Sequence, residues 1–260
     1  MFAKCREEKR PAFIPYLTAG FPKLDSTVDL LLALEKGGAD IIELGMPFSD
    51  PLADGPTIQK SSFEALANGV KLEDCFRYVR EAREKGLVAP VILMGYYNPF
   101  MNFGDEKLID EAVRSTVEGF IIVDFPPDEA PSFGELCRSK KICFVPLVAP
   151  TSTDRRMKML GEQTTGYVYG VSLTGVTGSR TELPPDLPKF LARIKKSFAV
   201  PVVIGFGLST PEHVKQVYDL GAEGAVVGSS VIQEIRKFEG DHKAQVEALE
   251  AYVKKMMSLC

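Results

Sequence analysis

Eight short apolar segments, each followed by residues with helical spacing, constrain the fold of this chain most strongly. They are apolar along their whole length, which is typical of parallel strands covered on both faces. Alternating strands and helices predict a parallel sheet, and eight such units predict closure into a (β/α)8 TIM barrel. We therefore expect a single α/β domain over residues 1–260, with extra helices at the N-terminus and the C-terminus. The predicted strands are residues 12–18, 40–44, 90–94, 119–123, 143–148, 167–172, 200–204 and 224–227.

A doubly wound open sheet is the alternative architecture. Such sheets usually carry a Gly-x-Gly-x-x-Gly turn after the first strand, where a dinucleotide binds. Here the first strand runs into Ala19-Gly20-Phe21-Pro22, which lacks that pattern. The barrel is therefore the preferred prediction.

Charge and residue counts argue against several classes of function. The net charge is −4, with 31 Lys and Arg against 35 Asp and Glu, so a nucleic-acid surface or a membrane surface is not expected. Five cysteines without a Cys-x-x-Cys pair are typical of a reducing compartment. Only two histidines occur, neither near a cysteine or the other, so we expect no metal and favour carboxylates as acid–base groups. The expected location is the cytoplasm, or a plastid if a transit peptide has been removed.

One carboxylate, Glu43, stands inside the second predicted strand. A carboxylate in a buried strand is costly unless something compensates, and low-dielectric surroundings raise its pKa toward neutrality. Such a pKa suits acid–base catalysis. A buried Lys or Arg could instead neutralise Glu43, but no basic residue stands at a predicted strand end. We therefore favour a catalytic role for Glu43.

A second carboxylate, Asp54, follows in a loop that also contains three prolines. Asp-Gly-Pro is ordinary turn chemistry, so the residue alone is equally consistent with a turn former and with a site residue. The other polar side chains at predicted strand ends are weaker candidates for site residues. By frequency, Tyr96 and Tyr169 are expected in the core, and Asp124 before two prolines is expected in a turn.

Two small-residue turns follow the seventh and eighth predicted strands, Gly205-Phe206-Gly207 and Gly228-Ser229-Ser230. In a (β/α)8 barrel these loops commonly hold a phosphate, and a helix beginning near Ser229 would direct free N–H groups at it. Plain tight turns are the alternative, but their occurrence at both expected strand ends favours phosphate. The residues thus indicate a barrel enzyme that acts on a phosphorylated small molecule by carboxylate chemistry. They leave the substrate open.

The stretch ELGMPFSDPLADGPTIQ at residues 43–59 resembles the signature of the tryptophan synthase α subunit family. Shorter matches follow in the family's order at residues 15–20, 94–99, 175–178 and 205–207. The resemblance implies cleavage of indole-3-glycerol phosphate to indole and glyceraldehyde 3-phosphate, without a cofactor. It implies that Glu43 is the general acid–base and that Asp54 hydrogen-bonds the indole N–H. Other phosphosugar-handling barrel enzymes remain an alternative.

The resemblance also assigns roles around these two carboxylates. It places Tyr169 near Glu43, and Thr177 on a lid that meets the aspartate. Positions around the indole ring match Tyr16, Met94, Tyr96, Ile121 and Leu147, and phosphate-binding positions match Gly178, Phe206, Gly207, Gly228 and Ser229. The chain departs from the family where Tyr16 replaces a common Phe and Met46 replaces a common Val or Ile.

Family members usually pair with a β subunit that uses pyridoxal phosphate, in an α2β2 complex. The resemblance therefore implies a β subunit as partner, with contacts through Asp50 and Asn98. A catalytically silent barrel that acts as an allosteric partner of a β-like subunit is a further alternative. The two carboxylates argue against it, because a silent copy has no need to keep a charge in a strand.

Overall fold

The computed structural model describes residues 1–171, 183–205 and 207–260. Over these residues, nine parallel strands form one sheet with the order β5-β4-β3-β2-β1-β9-β8-β7-β6. The strands are β1 (Ala12–Thr18), β2 (Ile42–Gly45), β3 (Val91–Gly95), β4 (Gly119–Ile122), β5 (Cys143–Phe144), β6 (Leu147–Val148), β7 (Val168–Val171), β8 (Val202–Gly205) and β9 (Gly224–Val227).

The two ends of this sheet are consecutive pieces of chain, which closes it into a barrel. Only Val145 and Pro146 separate β5 from β6. The Val145 N–H donates to Phe120 O of β4 at 3.0 Å, and Pro146 O accepts from the Tyr169 N–H of β7 at 3.0 Å. Proline has no N–H to continue a ladder, so the strand is interrupted here. Residues 143–148 thus serve as one barrel strand, and the (β/α)8 prediction is confirmed while the open sheet is wrong.

Helices surround the barrel at the predicted positions. In the described residues they are α1 (Phe2–Glu7), α2 (Thr27–Gly37), α3 (Pro56–Ala67), α4 (Leu72–Glu84), α5 (Tyr97–Phe103), α6 (Asp105–Ser115), α7 (Ala130–Ser139), α8 (Asp154–Gln163), α9 (Leu187–Ser197), α10 (Pro211–Asp219), α11 (Ser229–Arg236) and α12 (His242–Met256). The sequence did not predict α5, because Asn98-Pro99 is typical of a loop. Pro99 lies in the first turn of α5, where its missing N–H has no helical partner to lose.

Buried polar contacts fix the start of the barrel. Asp40 is 4% exposed and accepts two hydrogen bonds from the Arg10 guanidinium, at 2.6 and 2.8 Å. Its Oδ2 also accepts from the Phe13 N–H at 2.9 Å. This contact sets β1 against the segment that enters β2. In the resulting register Glu43 lies beside Tyr16 of β1 and Ile92 of β3. Within the described ranges, no helix is both long and apolar enough to cross a membrane.

Candidate active site

Glu43 lies inside the closed barrel, on the rigid centre of β2. Its side chain is fully buried. Burial raises the pKa of Glu43 to about 8, and a hydrogen bond from Tyr167 lowers it in part. No cation pairs with Glu43 among the described residues. A carboxyl group with this pKa is mostly protonated at neutral pH and can give or take a proton.

The hydrogen-bond partner of Glu43 is Tyr167, which the sequence did not single out. Its hydroxyl donates to Glu43 Oε1 at 3.0 Å, across 124 positions of sequence. The other oxygen, Oε2, is buried and has no hydrogen-bond partner in the described part of the chain. The Tyr167 ring also contacts the ring of Phe2 on α1, with centroids 5.7 Å apart. Glu43 is therefore held through one oxygen only.

Asp54 lies in the loop between β2 and α3, and it is only 9% exposed. Its Oδ2 accepts from the Tyr96 hydroxyl at 2.9 Å, and the same hydroxyl accepts from the Ala53 N–H at 3.0 Å. Burial raises the pKa of Asp54 to about 6, and the Tyr96 hydrogen bond lowers it in part. The side chain of Gln59 donates to Asp54 O at 2.9 Å, which steadies the loop from α3. The Asp54 carboxylate is thus held in place by a hydrogen bond from Tyr96. A role as turn former alone, which the sequence also allowed, does not account for this contact.

Two tyrosines lie across glycines of their neighbouring strands. A Cβ added at Gly45 would overlap the Tyr16 hydroxyl, and one added at Gly205 would overlap the Tyr169 hydroxyl. In each case the glycine stands two residues after the tyrosine's partner in the parallel register. Both rings therefore lie inside the barrel mouth. Burial raises the pKa of Tyr169 well above its ordinary value, and the charges of Glu43 and Asp54 add to this effect.

A small, partly enclosed pocket lies beside Tyr16 and Asp54. Four residues assigned by resemblance line it, namely Tyr16, Asp54, Met94 and Tyr96. The sequence did not point to a fifth, Phe48, whose ring stacks on that of Tyr96 with centroids 5.0 Å apart. Its apolar and aromatic wall with one carboxylate is typical of a site for a small aromatic ligand. The pocket connects the loop after β2 with the end of β3.

The turn after β9 and the N-terminus of α11 lie next to this pocket. Gly228 caps α11, and a Cβ added to it would lie 3.6 Å from Tyr16 Cβ. The predicted helix start at Ser229 is confirmed. Gly207 has a φ of +89°, in the left-handed region that favours glycine. Phosphate binding at these two turns stays a prediction, and Phe206 lies outside the described residues.

The remaining predicted residues fall in three places. Ile121 lies fully buried on β4, and Leu147 pairs with Tyr169 in the register of β6 and β7. Asp50 and Asn98 are exposed near the ends of β2 and β3. The lid residues Thr177 and Gly178 lie outside the described residues. Within the described ranges, no group of three or more His, Cys, Asp or Glu could hold a metal ion.

Asp124, which was predicted to be a turn residue, has a more specific contact. Its Oδ1 accepts from the Tyr97 N–H at 2.6 Å, at the N-terminus of α5. A carboxylate at a helix N-terminus satisfies a free N–H and interacts favourably with the helix dipole. Asp124 therefore positions α5, and with it the segment that contains Tyr96.

Comparison with known proteins gives a consistent result. The sequence model of the family described as tryptophan synthase alpha chain matches residues 2–260. The tryptophan synthase alpha chain of Roseiflexus castenholzii is 46% identical over 91% of this chain and 90% of its own length. The tryptophan synthase of Saccharomyces cerevisiae is 44% identical, and the match covers 89% of this chain and 33% of the yeast protein.

Solved structures agree with the sequence comparison. Tryptophan synthase subunit alpha of Legionella pneumophila superposes with a TM-score of 0.90 at 34% identity, over 99% of this chain and 95% of that chain. A chain from the tryptophan synthase α2β2 complex of Pyrococcus furiosus superposes with a TM-score of 0.87 at 43% identity, over 95% of this chain and 97% of that chain.

Proposed function

Because this chain belongs to the tryptophan synthase alpha chain family, we propose that it cleaves indole-3-glycerol phosphate to indole and glyceraldehyde 3-phosphate, with Glu43 and Asp54 as its catalytic residues. The cleavage is the α reaction of tryptophan biosynthesis and makes the chain a carbon–carbon lyase. The observation that carries the residue assignment is the pair of buried carboxylates with different pKa values, about 8 and about 6.

Glu43 acts as general acid and then as base. Cleavage requires a proton at C3 of the indole ring and removal of the proton from the adjacent glycerol hydroxyl. The carbon–carbon bond electrons return to the ring as the hydroxyl becomes the aldehyde of glyceraldehyde 3-phosphate. A carboxyl group that is protonated near neutral pH can supply the first proton. Since Tyr167 occupies Oε1, Oε2 is the oxygen that exchanges protons.

Asp54 stays ionised and stabilises charge. Protonation of C3 places positive charge on the indole nitrogen, and a carboxylate hydrogen-bonded to the N–H offsets it. With a pKa of about 6, Asp54 is mostly ionised at pH 7 and above, when Glu43 is still protonated. Two carboxyl groups whose environments separate their pKa values thus take different roles.

The phosphate and the aromatic ring give the substrate two anchors. The turns at Gly207 and Gly228, with the N-terminus of α11 at Ser229, hold the phosphate, and Phe206 and Gly178 complete that site. Met94, Tyr96, Ile121 and Leu147 surround the ring. By family resemblance, we assign Tyr169 to the substrate site near Glu43, and Thr177 to a contact with Asp54. This arrangement needs no metal or organic cofactor.

The test is turnover of indole-3-glycerol phosphate by the parent chain and by Glu43→Gln. Glutamine keeps the shape and the Tyr167 contact but removes the proton exchange, so kcat should fall by about 10²- to 10⁴-fold. Glu118→Gln is the matched control, because Glu118 is a partly buried carboxylate held by Arg83 and the Val91 N–H away from the pocket. Glu118→Gln should lower the free energy of unfolding and leave kcat unchanged.

Three results would contradict the proposal in different ways. Equal rates for the parent and Glu43→Gln would remove the role of Glu43. Binding without turnover, with and without an added β subunit, would favour the catalytically silent barrel. Cleavage of a phosphosugar without an indole ring would favour another barrel enzyme.

The partner is the tryptophan synthase β subunit, in an α2β2 complex. Two large apolar side chains near the barrel mouth support this, since Leu52 is 84% exposed and Met101 is 49% exposed. They stand beside the predicted contact residues Asp50 and Asn98, in the loop after β2 and in α5. Indole leaving the pocket would therefore meet the partner. The five thiols are free, which fits the reducing cytoplasm as the location.

A further inference from the structure

We propose that the Tyr16 hydroxyl is a specificity-determining hydrogen-bond donor that recognises the glycerol oxygens of the substrate. The inference rests on the proposed function for the identity of the substrate. The position of the donor and the availability of its proton come from contacts of Tyr16 itself.

Tyr16 spans the distance between the phosphate turn and the catalytic strand. Its Cβ lies close to Gly228, 3.6 Å from where a Cβ on that glycine would stand. Its hydroxyl lies over Gly45, two residues after Glu43 on β2. The side chain lines the same pocket as Asp54 and is 9% exposed. A ligand anchored by a phosphate at one end and an aromatic ring at the other places its connecting chain alongside this side chain.

Counting protons in the neighbouring hydroxyl chain leaves the Tyr16 proton without a good acceptor. Ser61 Oγ donates to Ile58 O at 2.8 Å, because a carbonyl oxygen can only accept. Ser61 has then no proton for Thr18, so Thr18 Oγ1 donates to Ser61 Oγ at 2.7 Å. Thr18 Oγ1 lies 3.5 Å from the Tyr16 hydroxyl in an orientation in which Thr18, not Tyr16, would be the donor, so this long contact does not use the Tyr16 proton. The Tyr16 O–H is therefore available to the pocket.

The glycerol oxygens are the acceptors that fit this donor. In indole-3-glycerol phosphate, two hydroxyl groups lie on the chain that links the phosphate to the ring, which is the part beside Tyr16. Burial and the charge of Asp54 raise the pKa of Tyr16. The hydroxyl therefore keeps its proton throughout the working range of pH. The competing acceptor is the Asp54 carboxylate, which serves the indole N–H in the proposed mechanism.

The experiment compares Tyr16→Phe with the parent chain on two ligands. One is indole-3-glycerol phosphate, followed by turnover. The other is 3-indolepropyl phosphate, which keeps the ring and the phosphate but lacks both hydroxyls, followed by calorimetry. We expect KM for the substrate to rise about three- to tenfold, as for one neutral hydrogen bond, with Kd for the deoxy ligand unchanged.

Tyr78→Phe is the matched control. The Tyr78 hydroxyl is buried and has no hydrogen-bond partner in the described residues, but it lies on α4 and does not line the pocket. This variant should leave both constants unchanged. Unfolding in urea shows whether either variant loses stability. A change in KM without a loss of stability would reflect the lost substrate contact alone.

The outcomes separate the two proposals. Equal weakening of both ligands by Tyr16→Phe would identify Asp54 as the acceptor and overturn the glycerol contact. If Tyr16→Phe changes neither KM for the substrate nor Kd for the deoxy ligand, the glycerol contact is overturned as well. Turnover by the parent chain would in that case leave the proposed function intact. If the parent chain cleaves no indole-3-glycerol phosphate, the proposed function fails and the role of Tyr16 falls with it.

Discussion

At the scale of single residues, environment separates two chemically similar groups. Glu43 is fully buried on a strand and has a pKa of about 8. Asp54 is on a loop, receives a hydrogen bond from Tyr96, and has a pKa of about 6. Between these values one group is mostly protonated and the other mostly ionised. Activity that needs this combination should have its optimum between about pH 6 and 8.

Stability should depend on pH through Glu43. Its pKa is raised from 4.5 to about 8 on folding, so the folded state binds the proton more tightly. Its contribution to stability is complete below pH 4.5 and is lost as pH rises to about 8. Glu43→Gln removes this dependence. The free energy of unfolding should therefore fall less between pH 6 and 8 in Glu43→Gln than in the parent, by up to about 1.4 kcal/mol per pH unit.

Urea unfolding followed by circular dichroism at pH 6, 7 and 8 measures this difference. Asp54 titrates in part of the same range and is present in both proteins, so the comparison isolates Glu43. Parallel curves for the two proteins would show that Glu43 does not change its pKa on folding.

At the scale of elements, two pairs of neighbouring strands pack in the same way, with a tyrosine ring of one strand over a glycine of the other. The rings of Tyr16 and Tyr169 cross to the neighbouring strands and take the space where the side chains of Gly45 and Gly205 would lie. Glycine is needed here for close approach, not for backbone conformation. The sheet thus has room for two large aromatic rings inside the barrel, where branched side chains are more usual.

Gly45→Ala should test this packing. The added methyl group would overlap the Tyr16 hydroxyl and its ring carbons. We expect a loss of about 1–3 kcal/mol in the free energy of unfolding, together with a rise in KM as the ring moves. Combining it with Tyr16→Ala opens the space, so the pair should be less destabilising than the sum of the two single changes. Simple additivity would contradict the contact.

At the scale of the whole molecule, closure of the sheet decides where function can be. Because all strands run parallel, their carboxyl ends meet at one mouth, where Glu43, Asp54 and the turn at Gly228 are brought together. The loop after β2 and helix α5 rise from the same mouth and expose Leu52 and Met101. The candidate pocket and the proposed partner surface are therefore neighbours on one face.

Leu52→Asp should weaken binding of a tryptophan synthase β subunit. A charge at the centre of an apolar contact is desolvated without a partner, so Kd should rise about tenfold or more. Val88→Asp is the control, because Val88 is 80% exposed and precedes β3, at the N-terminal end of the strands, whereas Leu52 follows β2 at their C-terminal end. Sedimentation of the mixed subunits gives both constants. An equal effect of the two changes would place the β subunit elsewhere.

The sequence by itself determined most of the fold and the identity of the central acid. Periodicity is a local property, so strands and helices could be predicted within a few residues, and the chain from 143 to 148 was recognised as one strand although Pro146 interrupts it. A charged residue within an apolar run, such as Glu43, can be recognised from the sequence as a candidate site residue. Helix α5 was missed because its local signal, a proline, is shared with loops.

Only the tertiary structure decided what these residues touch. Tyr167 meets Glu43 across 124 positions of sequence, and Tyr96 meets Asp54 across 42. No local pattern encodes either contact, because both depend on closure of the barrel and on the register of strands that are distant in the chain. Closure buries the two carboxyl groups to different extents and gives each its own hydrogen-bond partner. The different pKa values of Glu43 and Asp54 are therefore properties of the folded barrel.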